Sequence, residues 1–327
     1  MSSEVNLLEL IEEWDEDIEY SESDYYAYYE KMGEFSGIYE NIKSLYESKW
    51  SIDRPFPAGL TATVERWLGN YELDPERKVA FQLIPRIMVY SKKEMEVLCE
   101  ITFEKLVQLL ESHLGRIVDK SFFNSNVFFV PLTDSGGNWC RYLRHHYDFE
   151  SSAVKQSIDV LKPIHYSHRK YIVVVEDFVG SGSDVVKEYT EKLAGVKRIY
   201  SDVHFYLFAL IATKWGVDAV DGETEFNVVV GEMLDSRYKC FSKESVVYSD
   251  TRTRAEAKRV FSKYGRRLCD SDPEISGCPL GFDNGQLAVV LHDNTPDNTL
   301  PVIWYPDKGW FPFFRRSRRY HGDTGTV

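Results

Sequence analysis

Two adjacent acids, Glu176 and Asp177, follow an apolar run over residues 171–175 and precede Gly180-Ser-Gly-Ser183. The run is β-branched and aromatic with no polar alternation, the pattern of a strand buried on both faces of a parallel sheet. The acids then fall at the strand's carboxyl end, where open α/β sheets bind ligands. Residues 185–193 read as a helix, and the backbone amides of a Gly/Ser turn that opens a helix attract an anion, helped by the helix dipole. Two carboxylates for hydroxyls or a metal, beside a cradle for a phosphate, equip a sugar-phosphate site. The competing reading is an acidic strand end with a Ser/Gly helix cap.

A second group follows an earlier apolar run, 127–131. Thr133-Asp-Ser-Gly-Gly-Asn138 places Ser135, Gly136 and Gly137 after a strand end, as a second anion-binding loop or as an ordinary Gly-Gly turn. A helix is expected from about 139 to 149. On it Arg141 and Arg144 lie three apart and share a face. His145 and His146 have no third ligand at a defined spacing, so a solvated helix surface is preferred to a metal site. Lys155, Lys162, His165, His168, Arg169 and Lys170 complete a cationic interval before residue 171. The 171–184 stretch is not a dinucleotide fingerprint. Its first glycine comes too late after the strand, Val185 stands where the third belongs, and no P-loop lysine is present.

The elements that must position these residues change character at about residue 120. Before it, Leu7, Leu8, Ile11, Trp14 and Ile18 recur at helical spacing, and the sequence from 61 to 114 reads as helical. Asp74-Pro75 marks a helix start. Residues 94–114 form the clearest helix, with Val97, Ile101, Leu106, Leu109 and Leu110 as its apolar stripe. After 120, apolar runs at 127–131, 171–175, 202–211 and 225–230 alternate with helical stretches, which argues for a parallel α/β sheet. Shorter runs follow at 286–291 and 301–304.

The chain has 327 residues, a hydrophobic fraction of 43% and a net charge of −13. That is enough apolar surface for a large core, and a charge that repels nucleic acid and anionic membranes. Residues 4–24 hold ten Asp/Glu and no Lys or Arg, whereas Arg315, Arg316, Arg318 and Arg319 cluster near the other end. The arginine cluster is a solvated tail, a clamp on an acidic segment or, less favoured, a nucleic-acid contact. Five widely spaced cysteines without a CxxC pair suggest neither a zinc site nor a disulfide framework. With no signal peptide and no membrane-length apolar run, a cytoplasmic protein is expected.

The 171–183 segment resembles the ribose-phosphate signature of type I phosphoribosyltransferases, in which an apolar strand, two acids and a small Thr/Ser/Gly-rich loop follow one another. The Glu-Asp order resembles the purine-salvage branch. The resemblance implies that Glu176 and Asp177 are the catalytic acids on the ribose hydroxyls of phosphoribosyl pyrophosphate, with Asp177 also toward Mg²⁺. It implies that Gly180, Ser181, Gly182 and Ser183 wrap the 5′-phosphate. Ser135, Gly136 and Gly137 fill the place of the pyrophosphate loop, and Arg141 and Arg144 fall in the interval of the catalytic lid. Three departures stand out. Asp184 replaces a Thr or Ala, Gly180 replaces the acid that purine enzymes carry as a proposed base, and no Arg or Lys precedes Gly136.

Residues 279–304, with Asn294-Thr-Pro-Asp-Asn-Thr-Leu-Pro301 at their centre, look like a narrower group of phosphoribosyltransferase-like proteins found in bacterial conflict and antiviral defence systems, retron-associated members included. The resemblance spans about 80–316. It implies an α/β fold with a parallel sheet of type I phosphoribosyltransferase topology and an N-terminal mainly helical region. The expected divisions are 1–118, acidic and helical; 119–314, the α/β domain with a C-terminal hood-like segment; and 315–327, a basic tail. Trp304, Trp310, Phe311 and Phe313 are candidates for stacking a base under the hood, with aromatic core packing as the commoner explanation.

Two functions follow as expectations. In the first, a phosphoribosyltransferase-like enzyme binds phosphoribosyl pyrophosphate or a nucleotide with Mg²⁺ and transfers the phosphoribosyl group or cleaves an N-glycosidic bond, as a defence effector with protein partners. In the second, a non-catalytic module keeps the fold to sense a nucleotide or to scaffold partners. The sequence leaves homo-oligomerisation open.

Overall fold

The computed structural model describes residues 36–161, 163–269, 278–306 and 309–316. The acidic N-terminal helix, Lys162, Arg318 and Arg319 lie outside them. From the N-terminus the elements are α1 (36–45), α2 (Leu60–Leu68), α3 (Asp74–Leu83), β1 (Met88–Tyr90), α4 (Lys92–Leu114), α5 (Lys120–Asn126), β2 (Val127–Pro131), α6 (Asp134–His146) and α7 (Pro163–His168). There follow β3 (Tyr171–Val179), α8 (183–199, with a π turn at Tyr189–Leu193), β4 (His204–Thr213), α9 (Lys214–Glu223), β5 (Phe226–Leu234), α10 (Thr251–Cys269), β6 (Val289–Leu291) and α11 (Pro301–Trp304).

The chain is α/β with parallel strands, and it divides into two compact units. One is continuous, Lys93–Ser236; the other joins Met1–Lys92 to Arg237–Val327. In the continuous unit β2, β3, β4 and β5 lie side by side in that order, all parallel. A single parallel bridge, Phe129 with Val154, adds a short fifth rung on the outer side of β2. There the Phe129 N–H donates to the Ala153 carbonyl and the Lys155 N–H to the Phe129 carbonyl, each at 2.9 Å. From β2 the chain therefore steps outward to residue 154, crosses back, and continues on the other side through β3, β4 and β5. The order reverses between β2 and β3, which makes that boundary the topological switch point.

Right-handed crossovers run in the two directions place their helices on opposite faces. On one face the Tyr142 hydroxyl of α6 donates to Glu100 of α4 at 2.7 Å, and Phe103 of α4 packs among Phe123, Phe129 and Tyr147. On the other, Val185, Tyr189, Leu193, Val217 and Val220 of α8 and α9 pack on Phe128, Val130, Ile172, Val174, Phe205 and Leu207. Alternate residues of each strand thus feed two layers, which is why the strand sequences carry no polar alternation.

Several expectations change. The stretch 61–114 is not helical throughout, because residues 88–90 form β1. Residues 289–291 pair with β1 in a separate two-stranded sheet rather than with the main one, and residues 301–304 form a helical turn rather than a strand. Residues 134–138 belong to α6 rather than to a loop before it. The buried face of α4 is Met95, Cys99, Thr102, Phe103, Leu106 and Leu110, while Val97 and Ile101 are exposed at 47% and 38%. Val97 stands two positions from Cys99, about 200° around the helix, so both cannot face the core.

The second unit has its own core, centred on Trp67, Tyr71, Phe261, Tyr264, Phe313 and Phe314. The indole N–H of Trp67 donates to the Val302 carbonyl at 2.8 Å. Among the described residues no helix is long and apolar enough to cross a membrane.

Candidate functional site

Strand β2 ends in register with Val175 of β3. Beyond that point β3 keeps β4 as its neighbour on one side, through Glu176–Ala209, Phe178–Ile211 and Val179–Ala212, and loses its neighbour on the other. Glu176 and Asp177 stand where β2 has stopped, at the switch point, each 5% exposed. The gap is filled by the start of α6. The Leu132 N–H donates to the Val175 carbonyl at 3.0 Å, and Gly136 lies so close that a Cβ there would come within 2.2 Å of the same oxygen. Gly136 is what lets the first turn of a helix rest on a strand end. Gly137 has ordinary clearance.

That close approach brings two hydroxyls onto the acids. Thr133 donates its N–H to Glu176 Oε2 at 3.1 Å and its hydroxyl to the carboxylate at 2.9 and 3.0 Å. Ser135 Oγ lies 3.0 Å from Glu176 Oε1, 3.1 Å from Asp177 Oδ1 and 2.8 Å from Thr133 Oγ1. Burial raises the pKa of Glu176 well above the carboxylate range. The neighbouring Asp177 charge and a hydrogen bond to it add to the rise, and the Thr133 and Ser135 hydroxyls oppose it.

The sign of this shift makes a prediction. Above the unfolded carboxyl pKa of about 4.3 the folded chain holds more protons than the unfolded one, so stability falls as pH rises through that window. Glu176→Gln, which copies the protonated acid, should match the wild type near pH 4 and melt several degrees higher at pH 8. Thermal melts across pH that stay parallel for the two proteins would show that Glu176 does not titrate in this way.

The second half of the site is the turn after β3. The Thr213 hydroxyl donates to the Gly180 carbonyl and accepts the Gly216 N–H at 3.0 Å. Gly182 has φ of +81°, and a Cβ on it would meet the Gly216 carbonyl at 2.6 Å; one on Gly216 would meet the Gly180 carbonyl at 2.1 Å. The turn is thus locked backbone to backbone against the start of α9. Ser181 and Ser183 face each other with hydroxyls 2.8 Å apart, and the Ser183 N–H reaches Ser181 Oγ at 3.3 Å. Asp184 is exposed in the first turn of α8, where a negative charge suits the helix dipole.

The structure therefore gathers Ser135 and Gly136 with Glu176 and Asp177, and locks Gly180 and Gly182 at the next strand end. Arg141 and Arg144 sit on α6, where Arg141 bonds Asn138 of the same helix. His145 and His146 are exposed, with His146 Nδ1 3.7 Å from Glu100. Trp304 and Phe313 are core residues of the other unit, and Trp310 and Phe311 pack against that core. Arg316 lies over Trp304 and 3.5 Å from Asp297. Sequence reasoning did not single out Thr133, Thr213 or Gly216. The available signal was a threonine directly before a helix at the end of an apolar run, at 133 and again at 213.

The profile of one protein family, described as PRTase-CE, matches residues 64–316, well over half of the chain. No curated protein and no solved structure matches it.

Proposed function

Because the chain belongs to the PRTase-CE family and is phosphoribosyltransferase-like, we propose that it binds a phosphoribosyl donor or nucleotide with Mg²⁺ and transfers the phosphoribosyl group or cleaves an N-glycosidic bond. One observation carries the reading. A buried acid pair stands at the switch point of a parallel sheet, with a backbone-locked Gly/Ser turn on the same strand. The pair suits ribose hydroxyls, and Gly180, Ser181, Gly182 and Ser183 suit a 5′-phosphate. Ser135, Gly136 and Gly137 lie in the first turn of α6, where helix N–H groups suit the pyrophosphate; the Gly137 N–H already donates to the Thr133 carbonyl at 3.2 Å, which leaves those of Ser135 and Gly136 for that role. As the bond to the leaving group breaks, the sugar carbon gains positive charge, which a nearby carboxylate stabilises.

The donor set is compatible with Mg²⁺, which keeps several waters and takes one or two carboxylates plus substrate phosphates. Among the described residues no group of three or more His, Cys, Asp or Glu is placed to hold a metal. The chain would thus contribute Asp177, and the donor's phosphates the rest. Mg²⁺ bound there supplies charge neutralisation of the leaving pyrophosphate.

The test is incubation with phosphoribosyl pyrophosphate, Mg²⁺ and a nucleobase panel, with released pyrophosphate and lost nucleotide as readouts. Turnover supports the enzyme. Binding without turnover supports a nucleotide sensor, a reading favoured by Gly180, which brings no base, and by Glu176, whose oxygens already face three protein donors. Neither binding nor turnover leaves a scaffold for protein partners. The role in antiviral defence rests on the resemblance of 171–183 and 279–304. It is tested by phage challenge of cells carrying the wild type or an inactive variant.

A further inference from the structure

Helix α10 (Thr251–Cys269) is a basic element in an acidic protein, with seven Lys/Arg and Glu256 as its one acid. Its buried side carries Ala257, Val260, Phe261, Tyr264 and Leu268. Three of the cations are already engaged. Lys263 and Arg267 pair with Glu72, and Arg254 donates to the Tyr248 and Ser249 carbonyls. Arg252, Lys258, Arg259 and Arg266 are exposed, and among the described residues their side chains have neither an ion pair nor a hydrogen bond. Arg252, Arg259 and Arg266 recur every seven residues, so they fall about 10 Å apart on one face, opposite the buried one. Ala255 and Ser262 put small side chains between them. A row of like charges without counterions repels itself and attracts an acidic partner.

We propose that the acidic segment 4–24 of the same chain docks on the Arg252, Arg259 and Arg266 face of α10 and shields it from phosphate polyanions. Charge complementarity carries the choice of occupant. The segment holds ten Asp/Glu and no Lys or Arg, so the rest of the chain has a net charge of only −3. The segment and α10 belong to the same compact unit. The eleven residues from 25 to 35 reach up to about 36 Å when extended, against a radius of gyration of roughly 16 Å for a body of that unit's size. A tethered partner of this kind acts at millimolar effective concentration and outcompetes free polyanions. The planar guanidinium matches a carboxylate with two parallel hydrogen bonds. In the arginine cluster near the C-terminus, Arg316 already lies over Trp304 and 3.5 Å from Asp297.

Two measurements on the full chain test the docking. In limited proteolysis with a protease that cuts after glutamate, the combined variant Arg252→Gln, Arg259→Gln, Arg266→Gln should be cleaved within residues 4–24 about 10-fold faster than the wild type, the scale of three surface ion pairs. Salt should speed cleavage of the wild type toward the same rate. The equal charge change Lys43→Gln, Lys93→Gln, Lys243→Gln, at exposed sites elsewhere, should leave the rate unchanged. In fluorescence anisotropy with a labelled 20-nucleotide oligothymidylate, a chain whose ten acids in 4–24 are changed to Gln or Asn should bind at least about 10-fold more tightly than the wild type. Adding the three arginine substitutions should remove that gain, and adding the three lysine substitutions should not. Thermal melts confirm folding, and Arg259→Gln alone should shift both readouts in the same direction. Cleavage of the arginine variant at the wild-type rate overturns the proposal. So does a wild type that binds the oligonucleotide as tightly as the neutralised chain, which would make nucleic acid the occupant, or a gain in binding that survives loss of the three arginines.

Discussion

Asp177→Asn should reduce pyrophosphate release from phosphoribosyl pyrophosphate by about 100-fold or more, the scale of removing one electrostatic stabiliser from a transition state, without loss of folding. Asparagine has the same shape and still accepts the Ser135 hydroxyl, which lies 3.1 Å from Asp177 Oδ1. What it lacks is the negative charge. The Asp177 charge is also one of the causes that raise Glu176, so neutralising it relieves the buried pair, and the melting temperature should hold or rise. Rates and thermal melts of the same preparation separate the two effects. Activity within a few-fold of the wild type would show that Asp177 is not the ligand-facing group. Lost activity with a melting temperature lowered by many degrees would show a folding defect instead.

Gly216→Ala should destabilise the chain by about 1–3 kcal/mol, the range for overpacking a close contact, and should weaken phosphate binding at the turn before α8. Helix propensity alone predicts the opposite sign, since alanine in a helix is favoured over glycine by up to about 1 kcal/mol. Sterics decide. The new Cβ would stand 2.1 Å from the Gly180 carbonyl and 3.0 Å from Thr213 Oγ1, and Gly180 is held by Thr213 on a buried strand end. Gly222, in the same helix with nothing within 4 Å, is the internal control. Gly222→Ala should stabilise by up to about 1 kcal/mol. Denaturant midpoints for the two variants check both signs, and a Gly216→Ala protein as stable as Gly222→Ala would mean the turn yields freely.

What the sequence disclosed depended on how local the signal was. The strand at 171, its two acids and the Gly/Ser turn were legible because a doubly buried strand is written as an unbroken apolar run, and punctuating residues mark its end. β1 was not, because three residues between two helices are too short to show a period. The reversal at β2 was hidden for a similar reason: its evidence is one bridge at Val154, in a segment without strand composition. The stripe of α4 was misplaced because Val97 and Ile101 are apolar yet exposed, while Thr102 is buried and bonded to the Leu98 carbonyl. The role of Thr133 was beyond reach, since a threonine before a helix reads as a cap. Only the geometry shows its hydroxyl turned the other way.

The joining of residues 36–92 to 237–316 in one unit governs the order in which the molecule can be completed during synthesis. Every element of the sheet that carries Glu176 and Asp177 has left the ribosome once residue 236 emerges. Trp67 must wait for partners translated more than 230 residues later, since Val302 lies 235 positions downstream and Phe313 further still. A nascent chain therefore carries a finished sheet unit with its acid pair, flanked by an early segment whose aromatic surface has no cover until the last part of the message is read. Premature termination anywhere between residues 240 and 300 should yield a protein with its acid pair assembled and its second core open. That is a species for chaperones and proteases to remove.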